Sequence, residues 1–153
     1  MEALTSYETV EILNDLVRIS NDRIAGYMKA LEDLQPEDQD LKVLFTSNID
    51  QSRRFKLVLG TELQAIGGDM QKEAALSGAI YRAWTGVQTT LIDHSRHSIL
   101  VNCAYGEDAA QKAYETALNS EYLPAHMATT ITEEKELLSI AHDQVKTLLA
   151  LCN

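Results

Sequence analysis

The amino-acid sequence predicts an all-α fold, a four-helix bundle with a long crossover between its second and third helices. Two prolines, seven glycines and no low-complexity tract in 153 residues leave little room for strands or hairpins. Apolar residues recur at helical spacing through four long segments. The connection between the second and third segments is long enough to run the full height of the bundle. We therefore expect a single helical domain over residues 1–153.

The chain is strongly acidic, with a formal net charge of −10 and a pI near 4.7. Nucleic acid and anionic membrane surfaces select Lys and Arg, so neither is an expected partner. No apolar run approaches the roughly 20 residues that span a bilayer, and no signal peptide is recognisable at Met1. Cys103 and Cys152 do not make a disulfide framework. We expect a cytoplasmic protein without membrane insertion.

The first predicted helix runs from Ser6 to Gln35, after a capping box formed by Thr5 and Glu8. Its core-facing row keeps a heptad spacing, and only Ser20 in it is polar. The apolar members of the row are Val10, Leu13, Val17, Ile24, Tyr27, Leu31 and Leu34. Three further apolar residues widen this stripe and favour either a second neighbour in a bundle or a homodimer face. They are Ile12, Leu16 and Ile19.

The second helix is predicted to begin at Pro36 and to end at Gly67 and Gly68. The short turn before it makes the first two helices antiparallel neighbours. The core-facing row of this helix is Leu41, Phe45, Asn48, Ser52, Phe55, Leu59, Glu62 and Ile66. Its Asn and Ser would join Ser20 in a polar layer near mid-bundle. We interpret that layer as a hydrogen-bonded register device in preference to a ligand site.

The predicted crossover occupies residues 69–95 and carries a short extra helix from Ser77, which makes the second and third long helices parallel. The third helix is predicted from Arg96 to Asn119, and the fourth from Pro124 to Leu151. A threonine-rich run in the fourth helix is poor helix material and predicts a kink or a restart at Thr132. The core-facing row of the fourth helix is Met127, Ile131, Glu134, Leu138, Ala141, Val145 and Leu148.

The segment from Cys103 to Leu118 places an acid, Glu107, in a core-facing apolar row of the third helix. The row is Leu100, Cys103, Glu107, Ala110, Tyr114 and Ala117. A buried carboxylate needs a partner, and its partner here is an arginine, a tyrosine hydroxyl, His142 or a bound proton. The candidate arginines are Arg53, Arg54 and Arg82, and the candidate tyrosines are Tyr27 and Tyr114. The predicted buried polar cluster is Glu107, Tyr27, Tyr114, His142, Arg54 and Gln51.

Five segments of the chain carry a resemblance to a known family. They are LNDLVRISNDRIAGYMKALEDL (Leu13 to Leu34), QSRRFKLVLGTEL (Gln51 to Leu63), SGAIYRAW (Ser77 to Trp84), CAYGEDAAQKAYETAL (Cys103 to Leu118) and AHDQVKTL (Ala141 to Leu148). Together they resemble a bacterial family catalogued as domain of unknown function 2383. The resemblance implies a ferritin-like four-helix bundle with a crossover, in agreement with the helical pattern. It implies no established activity.

A ferritin-like bundle invites comparison with a di-iron site, which needs two inward Glu residues and two Glu-x-x-His motifs. The histidines are His94, His97, His126 and His142, and the residues three before them are Leu91, His94, Leu123 and Ser139. The regular motif is therefore absent from the sequence, and no cofactor is predicted. The alternative is an irregular site for iron, manganese or zinc, built from Glu107, Glu62, Glu134 and His142.

Two histidines have the i, i+3 spacing of a metal pair, His94 and His97, with Asp93 beside them. We interpret this group as part of a solvated loop between helices, followed by a helix cap at Ser95.

No motif in the sequence indicates a particular reaction. A Gly-rich phosphate loop, a Ser-His-Asp order and a Cys-x-x-Cys pair are all missing from it. The sequence therefore favours a non-enzymatic interaction or structural protein, with a stress-related role and a homodimeric state as expectations. The alternative is a metal-binding or oxidoreductase relative of the ferritin-like class, with an irregular site around Glu107.

Overall fold

The computed structural model describes residues 2–68 and 95–152, with side chains from Tyr7 onward. Within these ranges the chain forms four long helices and no strand. They are α1 (Glu2–Asp33), α2 (Gln39–Ala65), α3 (Arg96–Leu118) and α4 (Ala125–Ala150). The close helix pairs are α1 with α2, α3 with α4, and α1 with α3, whereas α2 and α4 barely touch. The predicted all-α four-helix bundle is confirmed.

Side-chain contacts at the two ends of the bundle determine the helix directions. At one end, Arg96 at the start of α3 bonds Asp38 and Asp40 at the start of α2, with its Nη2 2.6 Å from Asp40 Oδ2. At the other end, Thr9 of α1 donates to the carbonyl of Tyr122, 2.7 Å away, in the turn between α3 and α4. The helices α2 and α3 are therefore parallel, as a crossover requires. The predicted crossover and its short helix fall at residues 69–94, outside the described residues.

Two predicted helix starts are wrong and two are confirmed, one of them that of α4, which begins at Ala125 directly after Pro124. Helical backbone continues through Thr5 to Glu2, so Thr5 does not cap α1. The helix α2 begins three residues after Pro36, and Asp38 precedes it, accepting a hydrogen bond from the Gln35 amide at 3.1 Å. The helix α3 begins as expected, because Ser95 accepts a hydrogen bond from an amide of the first turn at 3.1 Å.

The fourth helix is continuous from Ala125 to Ala150, so the predicted restart at Thr132 is wrong. The hydroxyls of Thr129 and Thr130 donate to the carbonyls four residues before them, at 3.2 and 3.3 Å. These bonds keep the polar groups of the threonines within the helix. Packing of the buried face then outweighs the weak helix propensity of this run.

The end of α2 is a glycine-dependent helix stop, as predicted. Gly67 has a φ of +80°, and the amides of Gly67 and Gly68 donate to the carbonyls of Gln64 and Leu63 at 3.1 and 2.8 Å. No atom lies within 4 Å of a Cβ built on Gly67, so a substitution there strains only the backbone. We expect Gly67→Ala to lower the free energy of unfolding by about 1 kcal/mol in urea denaturation. An unchanged or raised stability would contradict this assignment.

The core-facing rows follow the predicted spacing most closely in α3 and α4. All six predicted residues of α3 are buried, and so are all those of α4 except Leu148, which is partly buried. In α2, Leu63 is buried, whereas Glu62 and Ile66 are only partly so.

The inward face of α1 differs from the prediction, because it is centred on Leu16 and Arg23 and not on Ile24. Leu16 and Ile19 are 1% and 9% exposed. They belong to the core of the chain, in agreement with the alternative of a second neighbour in the bundle and not with that of a homodimer face.

Candidate functional site: a buried polar cluster

The centre of the bundle contains an ion pair between Arg23 of α1 and Glu107 of α3. The Arg23 Nε lies 2.7 Å from Glu107 Oε1, and its Nη2 lies 2.9 Å from Oε2. This two-pronged geometry matches the planar guanidinium to the carboxylate. Both side chains are 1% exposed, so the pair is closed to solvent. A buried carboxylate of α3 is thus neutralised by a cation from α1.

The third nitrogen of Arg23 connects the pair to α2. Its Nη1 donates to Gln51 Oε1 and Ser52 Oγ, both at 2.8 Å, and to the carbonyl oxygen of Asn48 at 3.3 Å. Arg23 therefore joins three helices through one side chain. Such a network is satisfied in only one alignment of the helices, and this favours a role in helix register.

Tyr27, one turn after Arg23, donates from its hydroxyl to Glu107 Oε2 at 2.9 Å. Its ring packs against Phe45 of α2, with ring centroids 5.1 Å apart. Burial and the nearby Glu107 carboxylate raise the pKa of Tyr27 well above its usual value. For Arg23, burial opposes the charge, but the Glu107 carboxylate outweighs it and raises the pKa further. Arg23 and Glu107 thus form a charged pair inside the core.

A second buried acid lies between α3 and α4. Tyr114 donates from its hydroxyl to Glu134 Oε1 at 2.7 Å, and Glu134 is 4% exposed. Its other oxygen, Oε2, has no hydrogen-bond donor among the described residues. Burial raises the pKa of Glu134 to about 7, and the hydrogen bond from Tyr114 offsets only part of that rise. Glu134 therefore titrates near neutral pH, whereas ordinary glutamates are ionised there.

The structure brings some of the predicted cluster together and separates the rest. Tyr27 and Gln51 share the network of Glu107, while Tyr114 bonds Glu134 instead. His142 lies with its Nε2 2.9 Å from Oδ1 of the exposed Asp108, and not against Glu107.

The predicted arginine partner of Glu107 was wrong. Arg54 and Arg53 are both exposed, and Arg53 Nη1 lies 3.5 Å from Asp50 Oδ1. The third candidate, Arg82, lies outside the described residues.

Arg23 was missed by sequence reasoning, although its spacing held a usable signal. It lies three residues after Ser20 and four before Tyr27, which are both core-facing. Arginine is almost never fully buried unless paired, so Ile24 was the natural choice for that position. The usable indication was Glu107, a buried acid on a face of α3 that contains no cation. Another helix must therefore supply the cation.

The residues proposed for an irregular metal site each have a different neighbour. Glu107 is held by Arg23 and Tyr27, and its three donors occupy both oxygens. Glu62 Oε2 lies 3.3 Å from Nε2 of the exposed His126. Glu134 is bonded by Tyr114, and His142 lies beside Asp108. In residues 7–68 and 95–152 no three His, Cys, Asp or Glu side chains are grouped to hold a metal ion. The described residues therefore do not fit the irregular site around Glu107, where a guanidinium lies instead.

A solvated loop was predicted for the histidine pair His94 and His97. His94 and the neighbouring Asp93 lie outside the described residues. His97 is in the first turn of α3, and its side chain is exposed.

These features define a small all-α bundle protein with a closed ion pair at its centre. The family model for the domain of unknown function DUF2383 matches residues 8–120, and the chain belongs to that family. The predicted family is thus confirmed. The matched residues include Arg23, Tyr27, Gln51 and Glu107, whereas Glu134 lies beyond them. A comparison with curated proteins found no match. None of the described helices is long and apolar enough to cross a membrane.

Proposed function

We propose that this chain is a non-enzymatic interaction or structural protein, and that its buried polar cluster serves to align the helices. The observation that carries the proposal is the closed ion pair of Arg23 and Glu107. An active-site acid needs a reacting atom within hydrogen-bond reach, yet both oxygens of Glu107 already accept hydrogen bonds inside the core. Glu107 therefore supports specificity of packing and has no free oxygen for chemistry.

The cysteines support a cytoplasmic location for this role. Neither Cys103 nor Cys152 forms a disulfide, and Cys103 is fully buried. A secreted protein of this size is commonly cross-linked, whereas a reducing compartment keeps thiols free.

One observation favours the alternative function, a metal-binding protein of irregular design. Glu134 Oε2 is a buried carboxylate oxygen without a donor among the described residues, and such an oxygen can ligate a hard cation. Its known neighbour, the Tyr114 hydroxyl, does not add a second carboxylate or an imidazole. We therefore rank this alternative second.

Elemental analysis separates the two functions. Untagged protein should be purified from cells supplemented with iron, manganese and zinc, and its metal content measured against protein concentration. We expect far less than one metal ion per chain, and no binding when each metal is titrated. Near-stoichiometric metal would overturn the proposal if it disappeared in Glu107→Ala or Glu134→Gln while the helical circular dichroism persisted. The exposed Glu136→Gln is the matched control and should leave the metal content unchanged.

A further inference from the structure

The side of the bundle formed by α2 and α4 exposes apolar side chains. Its apolar members, which we call the α2–α4 face, are Leu44, Val58, Leu137, Ile140 and Leu148. Val58, Leu137 and Ile140 are 41%, 46% and 57% exposed, although they lie on neighbouring helices of one bundle. Near the start of α2 the face contains a cavity of about 490 Å³, lined in part by Leu44, Ile140 and Leu148. An exposed apolar surface of this kind on an acidic, charged protein indicates association.

The opposite side of the bundle is different in character. The groove between α1 and α3 has a volume of about 660 Å³, and its large apolar residues are Ile12, Leu16 and Ile19. Leu16 and Ile19 are buried in the core, and Ile12 is partly buried. Its other wall consists largely of alanines, with Lys112 at its rim. Its large apolar residues are therefore individually less exposed than Val58, Leu137 and Ile140 of the α2–α4 face.

One pair of opposite charges beside the α2–α4 face is arranged in a self-complementary way. Glu62 of α2 lies beside His126 of α4, and the two helices run antiparallel. Counting eight residues back from Glu62 and seven forward from His126 places Arg54 and Glu133 at nearly the same level. Each precedes a residue of the face, Val58 or Leu137, by one turn. Both are exposed, and neither has an ion-pair partner in the described parts of the chain.

We propose that the α2–α4 face is the interface of a symmetric homodimer, in which a second copy of this chain covers the exposed apolar residues. A two-fold axis parallel to the helices places α2 of one copy over α4 of the other. Arg54 of each copy then faces Glu133 of the other, while the apolar residues meet between them. An unrelated partner would need to supply this complementary pattern independently, whereas a second copy supplies it by symmetry.

The size of the face agrees with a stable dimer. Helices of 26 and 27 residues are about 40 Å long, and two side by side are about 20 Å wide. The whole side of the bundle thus spans roughly 800 Å² per chain, which is large enough for a standard specific interface. The inference rests on the proposed interaction role and specifies one partner and one surface for it.

Molar mass in solution, measured by light scattering over a range of concentrations, tests the dimer. We expect a mass of about twice 17.0 kDa for the wild type and 17.0 kDa for Ile140→Glu, because a buried unpaired carboxylate opposes association. Tyr105→Glu, at an equally exposed position on α3, is the matched control and should remain dimeric. A wild-type mass of one chain at every concentration would overturn the inference, as would a dimer unaffected by Ile140→Glu.

A charge exchange keeps the test decisive where Ile140→Glu fails to fold. We expect Arg54→Glu and Glu133→Arg each to weaken the dimer about tenfold, and the double exchange to restore its affinity. Equal loss of affinity in the single and double variants would overturn the symmetric pairing. A cysteine introduced by Ile140→Cys that cross-links only within its own chain would also overturn it.

Metal analysis distinguishes the two proposals. A metal-free monomer contradicts only the dimer, and a dimer with a stoichiometric metal contradicts only the proposed function.

Discussion

Replacing Arg23 with alanine is expected to lower the free energy of unfolding by about 3–5 kcal/mol, a large fraction of the stability of a domain of this size. The substitution leaves the Glu107 carboxylate buried at 1% exposure, with the Tyr27 hydroxyl as its remaining donor. It also removes a donor from Gln51 and Ser52 of α2. Urea denaturation followed by circular dichroism measures the loss.

A double-mutant cycle separates the ion pair from the packing around it. The variant Arg23→Met with Glu107→Leu replaces both charges with apolar side chains, so no charge stays buried alone. We expect the double variant to be more stable than Arg23→Met or Glu107→Leu alone. Its stability should stay below that of the wild type, because Gln51 and Ser52 have lost their donor. Simple additivity of the two single losses would show that the pair is not coupled. Arg18→Ala, at a more exposed position of α1, should cost far less and serves as the control.

Replacing Glu134 with glutamine is expected to raise stability at pH 8 by about 2–3 kcal/mol and to flatten its pH dependence. The pKa of Glu134 is about 7 in the folded protein and 4.5 in the reference state. The folded chain thus holds this proton more tightly than the unfolded chain does. Its stabilising effect is fully present below pH 4.5 and is lost as the pH rises to about 7.

The physical basis of this effect is the environment of the carboxyl group. Glutamine retains an oxygen to accept the hydrogen bond from Tyr114 and carries no charge at any pH. Thermal or urea unfolding between pH 5 and pH 8 measures the difference between the two proteins. The stability of Glu134→Gln relative to wild type should increase across this range and level off near pH 8. Glu136→Gln is the control, because Glu136 is exposed. The stability of this variant should follow a pH curve parallel to that of the wild type. Parallel curves for Glu134→Gln would contradict the assignment.

The limits of the sequence-based prediction are clear at helix α1. Its stripe predicted the helix and most of its buried residues, yet Arg23 was not included and Ile24 was. Periodicity determines the direction of a stripe only within about one residue, or 100°. At the edge of the apolar stripe, the prediction assigns the more hydrophobic of two neighbouring residues to the core. It therefore selects Ile24 and misses the buried Arg23. Leu16 and Ile19 were predicted to meet either a second helix of the bundle or a second copy of the chain, and both complete the core.

The α2–α4 face illustrates the other limit. Val58, Leu137 and Ile140 are ordinary members of amphipathic helices, and no local pattern marks them as exposed. Their exposure follows from the weak contact between α2 and α4. That separation depends on how all four helices pack, which no segment of the sequence specifies alone.

The sequence by itself determined the helical class, the family and the buried position of Glu107, because each depends on local spacing or on matching residues. Only the tertiary structure decided the partner of Glu107. Arg23 is 84 residues away in the chain, and its Nε lies 2.7 Å from the carboxylate because α1 and α3 pack side by side. A contact of this kind depends on the meeting of two helix faces, and helical periodicity carries no information about which faces meet.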